Sequence, residues 1–156
     1  MPDFVIETAD PLDWPGLLCV LQTANLHHIP SPEMPGLALE TTFVARNGEG
    51  IAGVGGYKMT GPNAARTTLL AVHPSYLGSA IGQKLQEQRM AAAKAAGAAT
   101  LTTNCDLPAE IDWYKRLFGY REVGSLPKLH SFGALDIDSW TTLETDLTAW
   151  SGPQDS

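Results

Sequence analysis

Hydrophobic and polar positions follow two periods along the chain, one typical of strands and one typical of helices. Strand-forming residues alternate or cluster in DFVIETA, in the two halves of TTFVARNGEGIAGVGGYKM, and in ARTTLLAV, TLTTN, GYREVGSL and DSWTTLETDL. In the last of these segments a period of two places Trp140, Thr142, Glu144 and Asp146 on one face. The pattern therefore predicts about seven strands.

Apolar residues recur with the helical period in three segments between these strands. ADPLDWPGLLCVLQTANL has Asp10 or Asp13 as a cap and an apolar face of Leu17, Leu18 and Leu21. SAIGQKLQEQRMAAAKAAGAA has Ile81, Leu85, Ala92 and Ala96 on one face and Gly97 to end it. The third helix is LPAEIDWYKRLF, and the proline-rich HHIPSPEMPGLALE predicts a loop or a short irregular helix.

Turn residues arrange these elements into a mixed sheet. Asn47 and Gly48 supply the positive φ angles of a tight hairpin, and a second turn at Gly61–Asn63 completes an antiparallel meander. The strands on either side of the long helix should be parallel through a right-handed crossover. We therefore expect an α/β (α+β) fold with a mixed, mostly antiparallel sheet flanked by helices, in the order β-α-α-β-β-β-α-β-α-β-β.

Composition adds limits on size, partners and location. With 156 residues, 44% of them hydrophobic, residues 1–150 predict a single domain, and residues 151–156 a disordered tail. The net charge of -7 argues against nucleic acid and anionic membranes as partners. Cys19 and Cys105 lack paired spacing, and neither a signal peptide nor a membrane span is expected, which together favour a cytoplasmic protein.

The segment LLAVHPSYLGSAIGQKL predicts a strand, a glycine-bearing turn and then a helix. Backbone N–H groups and the positive end of the helix dipole can hold a phosphate at such a turn. The alternative is that Gly78 and Gly82 only allow the turn and close packing of the helix.

This turn, the element order and WYKRLFGYREVG together resemble the GNAT superfamily of acyl-CoA-dependent N-acetyltransferases, from about Phe4 to Leu147. The family's pyrophosphate turn usually has Arg or Gln, two residues, Gly, one residue, and then Gly or Ala. Ile81 and Gly82 match, while Leu77 replaces the Arg or Gln and Ala80 replaces the central Gly.

The resemblance implies acetyl-CoA as co-substrate. The sequence has no metal-ligand spacing, so no metal is expected. Its pyrophosphate would be held by the backbone of Leu77, Gly78, Ser79, Ala80, Ile81 and Gly82, with Lys84 as the nearest cation. The pantetheine arm would pair with backbone groups of Leu70, Ala71 and Val72 on a strand that splays from its neighbour. Their side chains would belong to the core.

Acetyl transfer to an amine needs a proton donor for the leaving thiolate, and the resemblance implies Tyr114. The spacing from Tyr114 to Gly119 is one residue longer than usual, which leaves Trp113 and Lys115 as alternatives for that place. The transfer also needs a neutral amine. No carboxylate stands at the family's usual base position, so the candidates are a water relayed through carbonyls and Glu40, His27, His28, His73 and His130. Asn104 could orient such a water or the thioester.

Two long irregular segments, HHIPSPEMPG and LPKLHSFGALDIDSW, would flank the cleft of such a fold. They offer the acceptor-binding candidates His28, Glu33, Lys128 and His130, besides Trp140. The leading hypothesis is acetylation of the primary amine of a small soluble acceptor. A CoA-binding domain without catalysis, and acetylation of a protein N-terminus or an aminoacyl-tRNA, remain alternatives, and a homodimer stays open.

Overall fold

Seven strands form one sheet in the computed structural model, which describes residues 4–26, 37–76, 79–129 and 133–152. The strands are β1 (Val5–Thr8), β2 (Thr42–Asn47), β3 (Gly50–Met59), β4 (Ala64–Val72), β5 (Thr100–Cys105), β6 (Arg121–Pro127) and β7 (Ser139–Asp146). They lie in the order β1-β2-β3-β4-β5-β7-β6, and β4 and β5 are the parallel pair among antiparallel neighbours. The predicted mixed sheet is therefore confirmed.

Three helices cover the two faces of the sheet: α1 (Trp14–Thr23), α2 (Ile81–Ala95) and α3 (Pro108–Phe118). Short 3-10 turns span Pro11–Asp13, Leu39–Thr41 and Pro74–Tyr76. Asp10 and Asp13 form a capping box at the first of these turns, so the predicted caps both act there. The proline-rich segment at residues 27–40, predicted as a loop or a short irregular helix, lies mostly outside the described residues. In the described part of the chain, no helix has the length and apolar character needed to cross a membrane.

Side-chain alternation along the strands divides the core into two layers. The layer under α2 and α3 includes Phe43, Ala45, Leu85, Met90, Leu101, Phe118 and Leu143. The layer under α1 includes Leu17, Val20, Leu21, Val44, Val54 and Leu69. The helix α2 lies close on β3 because Gly53 has no side chain; a Cβ there would come within 2.8 Å of Ile81 and 2.9 Å of Leu85.

Two local predictions are wrong. At the first hairpin the positive φ belongs to Gly50 (φ 126), because Asn47 stays in the ladder opposite Gly50 and its Oδ1 accepts the N–H of Glu49 at 2.8 Å. On α2, Ala96 is exposed because it stands at the helix cap, after the last turn that faces the sheet. The buried stripe of α2 includes Arg89.

The parallel strands β4 and β5 pair along only part of their length. Their ladder ends at Arg66 and Thr102, although β4 continues to Val72 and β5 to Cys105. Just beyond this point Thr67 Oγ1 donates to Thr103 Oγ1 at 2.7 Å. On its other edge β4 carries a bulge, because Thr68 and Leu69 together oppose Gly56 of β3. The two strands thus open into a cleft with hydroxyl groups at its apex.

Candidate functional site

A cavity of about 760 Å³ fills the opening between β4 and β5. Its size is in the range of small-molecule sites. The cleft end of β4 forms one wall, and the end of β5 with the first turns of α3 forms the other. The residues just after α1, the segment before β7 and the start of β7 also line the cavity, with Asn25, Leu26, Gly133, Ala134 and Trp140.

Backbone groups of β4 are available along the first wall. Leu70, Ala71 and Val72 line the cavity, and their edge faces β5 beyond the end of the ladder. Their side chains lie in the two core layers, Ala71 under α1 and Leu70 and Val72 under α2. What this edge offers a ligand is therefore a row of N–H and C=O groups.

The N-terminus of α2 lies at one end of the cavity. Ala80 is its N-cap with a negative φ of -80° and has no capping side chain, while Ser79 Oγ accepts the Ile81 N–H at 3.4 Å. The first helical hydrogen bond runs from Lys84 N–H to Ala80 O at 3.0 Å, so the amides of Gly82 and Gln83 have no intrahelical partner. Gly82 and Gln83 both line the cavity, as does Ser79. Leu77 and Gly78 lie outside the described residues.

Tyr114 lies at the cavity wall with 5% of its surface exposed. Its hydroxyl accepts a hydrogen bond from Arg89 Nη2 at 3.0 Å. Burial raises the pKa of Tyr114, and the Arg89 guanidinium acts in the opposite direction. Of the alternatives, Trp113 also lines the cavity, whereas Lys115 is exposed and pairs with Glu122 at 2.7 Å.

Arg89 is a cavity residue that sequence reasoning missed. It is 1% exposed, and it donates to Gly56 O, Leu69 O and Gln86 Oε1 as well as to Tyr114. None of the ion pairs among the described residues includes this guanidinium. The sequence spacing could have indicated this residue. Arg89 stands eight positions after Ile81 and four after Leu85, which places its charge on the apolar stripe of α2.

Two carboxyl groups stand on the opposite wall, and the sequence did not indicate them either. Glu110 accepts a hydrogen bond from the Cys105 thiol at 3.3 Å. Desolvation raises the pKa of the Cys105 thiol and that of the Glu110 carboxyl, even though Glu110 stands at the rim. Asp106 accepts from Lys128 Nζ at 2.9 Å and from the Ala134 N–H at 2.7 Å.

Lys128 is therefore part of a buried ion pair behind the cavity wall. Its side chain is 7% exposed, that of Asp106 is 6% exposed, and its ammonium also lies 4.5 Å from the centre of the Trp140 ring. Asn104 lines the cavity, and its Oδ1 accepts from Thr142 Oγ1 at 2.7 Å.

Two hydrogen bonds join the end of α1 to the segment before β7 across the cavity. Gly133 N–H donates to Asn25 O at 3.1 Å, and Asn25 Nδ2 donates to Gly133 O at 3.2 Å. Both residues have positive φ, 55° for Asn25 and 66° for Gly133. We call this pair the clasp.

Several predicted residues are not brought to the cavity. Glu40 is exposed on the 3-10 turn before β2, and Lys84 lies 3.7 Å from Glu87 and does not line the cavity. His73 Nδ1 accepts the Ser75 N–H at 3.1 Å, away from the cavity lining. His27, His28, Glu33 and His130 lie outside the described residues.

Comparisons with known proteins agree on one family. A family model described as an acetyltransferase (GNAT) domain matches residues 38–122. No curated protein matches the sequence. The solved structures that share the fold include three of low identity. Ard1 from Thermoplasma volcanium is 15% identical with a TM-score of 0.75, over 93% of this chain and 98% of its own.

The other two structures were solved for enzymes with different acceptors. The ribosomal-protein-S18-alanine N-acetyltransferase from Escherichia coli is 17% identical with a TM-score of 0.72, over 98% of this chain and 99% of its own. N-acetylglutamate synthase from Neisseria gonorrhoeae, complexed with coenzyme A and N-acetyl-glutamate, is 15% identical with a TM-score of 0.71. That match covers 94% of this chain and 36% of the synthase.

Proposed function

The chain belongs to the GNAT family of acetyltransferases, which are acetyl-CoA-dependent acyltransferases, and we propose that it acetylates the primary amine of a small acceptor. The observation that carries this proposal is the cleft between β4 and β5, with its unpaired backbone edge and a helix N-terminus at one end. A thioester with amide groups along its arm and a pyrophosphate at its far end has the matching chemistry.

The β4 edge is suited to the pantetheine arm. Amides of the arm can pair with the N–H and C=O groups of Leu70, Ala71 and Val72 as an added strand would. The Thr67–Thr103 hydrogen bond closes the cleft at its apex, so an arm that enters between the strands stops at this level. Tyr114 and Arg89 line the cavity from α3 and α2.

The first turn of α2 is suited to the pyrophosphate. Gly82 and Gln83 offer amides outside the helical ladder, and the dipole of this 15-residue helix favours an anion at its N-terminus. Lys84 is held near Glu87, so we assign the binding to backbone groups and not to a lysine side chain. The negative φ of Ala80 supports the same assignment, because it makes alanine acceptable where the family usually has glycine.

The clasp supports a small acceptor. Asn25 and Gly133 bridge the two segments that flank the cavity on the α1 side, which narrows the route by which a polypeptide could lie across it. A cavity of about 760 Å³ must also hold the end of the pantetheine arm. The net charge of -7 disfavours an aminoacyl-tRNA, whose binding relies on clustered cations.

Chemistry at the site requires a neutral amine and a protonated leaving group. An alkylamine with a pKa of ~10.4 must lose its proton at a cost of roughly 4.6 kcal/mol at pH 7. We assign Tyr114 as the proton donor to the departing sulfur. Asn104, fixed by Thr142, is assigned to orient the thioester or the water that takes the amine proton. Glu40 is left out of the site because it is exposed and outside the cavity.

A thiol-release assay with acetyl-CoA tests the function. The amine panel should include short alkylamines, amino acids and a peptide with a free N-terminus. Tyr114→Phe should lower kcat about 10- to 100-fold, below the full range of general acid catalysis because a thiolate is already a fair leaving group. Tyr76→Phe is the matched control, since Tyr76 also lines the cavity but its hydroxyl donates to Glu49 Oε2 at 2.8 Å.

Three outcomes would contradict parts of this proposal. Binding of acetyl-CoA without turnover on any amine would favour a CoA-binding domain that lacks catalysis. Turnover on the peptide alone would overturn the small-acceptor assignment. Equal losses in Tyr114→Phe and Tyr76→Phe would remove the assignment of Tyr114 as donor.

A further inference from the structure

We propose that Arg89 is the positioning residue of the proton donor, and that it holds Tyr114 so that the hydroxyl hydrogen points into the cavity. This inference rests on the proposed function, in which Tyr114 protonates the leaving sulfur. Arg89 lies on α2 and Tyr114 on α3, and both residues line the cavity.

The hydrogen bond between Arg89 and Tyr114 can have only one direction. A guanidinium has donors and no acceptor, so the bond of 3.0 Å from Arg89 Nη2 makes the Tyr114 oxygen the acceptor. The one hydrogen of the phenol must then point elsewhere, and the cavity lies beside it. A tyrosine that donated to a protein group would have no hydrogen to give to a sulfur atom.

Several hydrogen bonds hold the Arg89 guanidinium in place. Its Nη1 donates to the carbonyls of Gly56 and Leu69 at 3.5 and 3.4 Å, which are two of the three residues at the bulge between β3 and β4. Its Nε donates to Gln86 Oε1 at 3.0 Å, and Gln86 Nε2 donates in turn to the Tyr120 hydroxyl at 2.8 Å. Arg89 therefore ties the orientation of the phenol to the backbone wall of the cleft.

Arg89 is a buried charge. Burying a guanidinium is costly, and a carboxylate is its usual partner. Arg89 instead has only neutral partners among the described residues. A buried cation with neutral partners can stabilise negative charge that forms during a reaction.

Proton transfer accompanies the departure of the CoA sulfur. When the tetrahedral intermediate collapses, the carbon–sulfur bond breaks, its electron pair goes to sulfur, and sulfur takes the Tyr114 proton. This leaves CoA thiol and a tyrosinate beside Arg89. The proton lost by the acceptor nitrogen goes to solvent, and solvent restores the tyrosine. Arg89 stabilises the tyrosinate during this interval.

A double-mutant cycle on kcat tests the coupling. Arg89→Met should lower kcat about tenfold with a smaller change in KM for acetyl-CoA, and it should cause no further loss in the Tyr114→Phe background. Arg116→Met is the matched control, because Arg116 lies on α3, is exposed, and pairs with Asp112. If Arg89→Met lowers kcat by the same factor with and without the tyrosine hydroxyl, the role is structural and the proposal is overturned.

A second readout does not depend on turnover. A fluorinated tyrosine at position 114, whose phenol ionises at lower pH, can be titrated by 19F NMR in the folded protein. The titratable groups that face this phenol are Arg89, Cys105, Glu110 and Tyr120. Loss of the cation in Arg89→Met should move the midpoint upward by about 1 to 3 pH units, and Arg116→Met should not move it.

An unchanged midpoint in Arg89→Met would overturn the proposal even if the enzyme is active. An upward shift without acetyl transfer to any amine would instead reject the proposed function and leave the pairing supported. If Arg89→Met does not fold, Arg89→Lys takes its place. The lysine keeps the charge but cannot donate to Gln86, both carbonyls and Tyr114 at once, so kcat should fall while the midpoint shifts less than with a neutral residue.

Discussion

Replacement of Gly82 by alanine and by valine should separate cofactor affinity from stability. Gly82 is in the first turn of α2 and lines the cavity. A Cβ at this position would meet only Val72 Cγ2, at an ordinary distance of 3.6 Å, so the fold has room for it. Alanine is also a better helix former than glycine, by up to about 1 kcal/mol. We therefore expect Gly82→Ala to unfold no more easily than the wild type.

The same methyl group would stand where the pyrophosphate must approach the amides of Gly82 and Gln83. A hydrogen bond to a charged group contributes about 1.5 to 3 kcal/mol. Loss of one such bond corresponds to a rise of about 10- to 100-fold in Kd, at 1.4 kcal/mol per factor of ten. The bulkier, β-branched valine should raise Kd further, with a small loss of helix propensity relative to alanine.

The assay is isothermal titration of acetyl-CoA and CoA, accompanied by thermal unfolding of each variant. Gly124→Ala is the matched control, because Gly124 lies on β6, outside the cavity lining, and a Cβ there would meet nothing within 4 Å. An unchanged Kd in Gly82→Val, with the fold intact, would refute the assignment of the pyrophosphate to this turn. A loss of affinity that parallels a loss of stability would refute the argument that the fold has room.

Three further predictions concern the other walls of the cavity. Gly133→Ala should weaken the clasp, because Gly133 has a positive φ and a Cβ there would press against Asp106. The KM for the acceptor should rise about fivefold or more, with less change in the KM for acetyl-CoA. Equal changes in these two KM values would contradict this prediction. Lys128→Met should lower the free energy of unfolding in urea by about 3 to 5 kcal/mol, because it leaves the buried Asp106 carboxylate without its cation; a loss below about 1 kcal/mol would show that the pair is solvated. Folding raises the pKa of Glu110, so its contribution to stability is present at acid pH and is lost as pH rises through the folded-state value. Glu110→Gln should therefore gain stability relative to the wild type as pH rises above the ordinary carboxyl pKa of about 4.3, and a difference in Tm that does not change with pH would contradict it.

Local sequence patterns were enough to predict the elements and their connections. The strands alternate strongly, the helices have caps, and β4 and β5 must be parallel because a 15-residue helix connects them. The hairpin at Asn47–Gly50 was placed correctly, although its positive φ was assigned to the wrong residues. These features depend on neighbours within a few residues, which sequence periodicity records.

Features that depend on distant residues were not predicted. The clasp joins Asn25 to a residue 108 positions away, and the Arg89–Tyr114 contact joins two helices whose facing sides become known only when they pack. The expectation that the buried face of α2 is apolar selected Ala92 and Ala96 and omitted Arg89. The position of Tyr114 in the cavity was predicted from family resemblance, and its role stays a prediction.

The short parallel ladder between β4 and β5 divides the sheet into two antiparallel halves, β1 to β4 and β5 to β7. Three residue pairs join the halves as a ladder, from Ala64–Thr100 to Arg66–Thr102. A ligand seated in the cleft would contact both halves, so it should slow amide hydrogen exchange along this seam as well as at the residues it touches. At a concentration 100 times its Kd, such a ligand adds about 2.7 kcal/mol to the stability of the whole molecule. The fraction of molecules that are open at this seam would then fall as the concentration of cofactor rises.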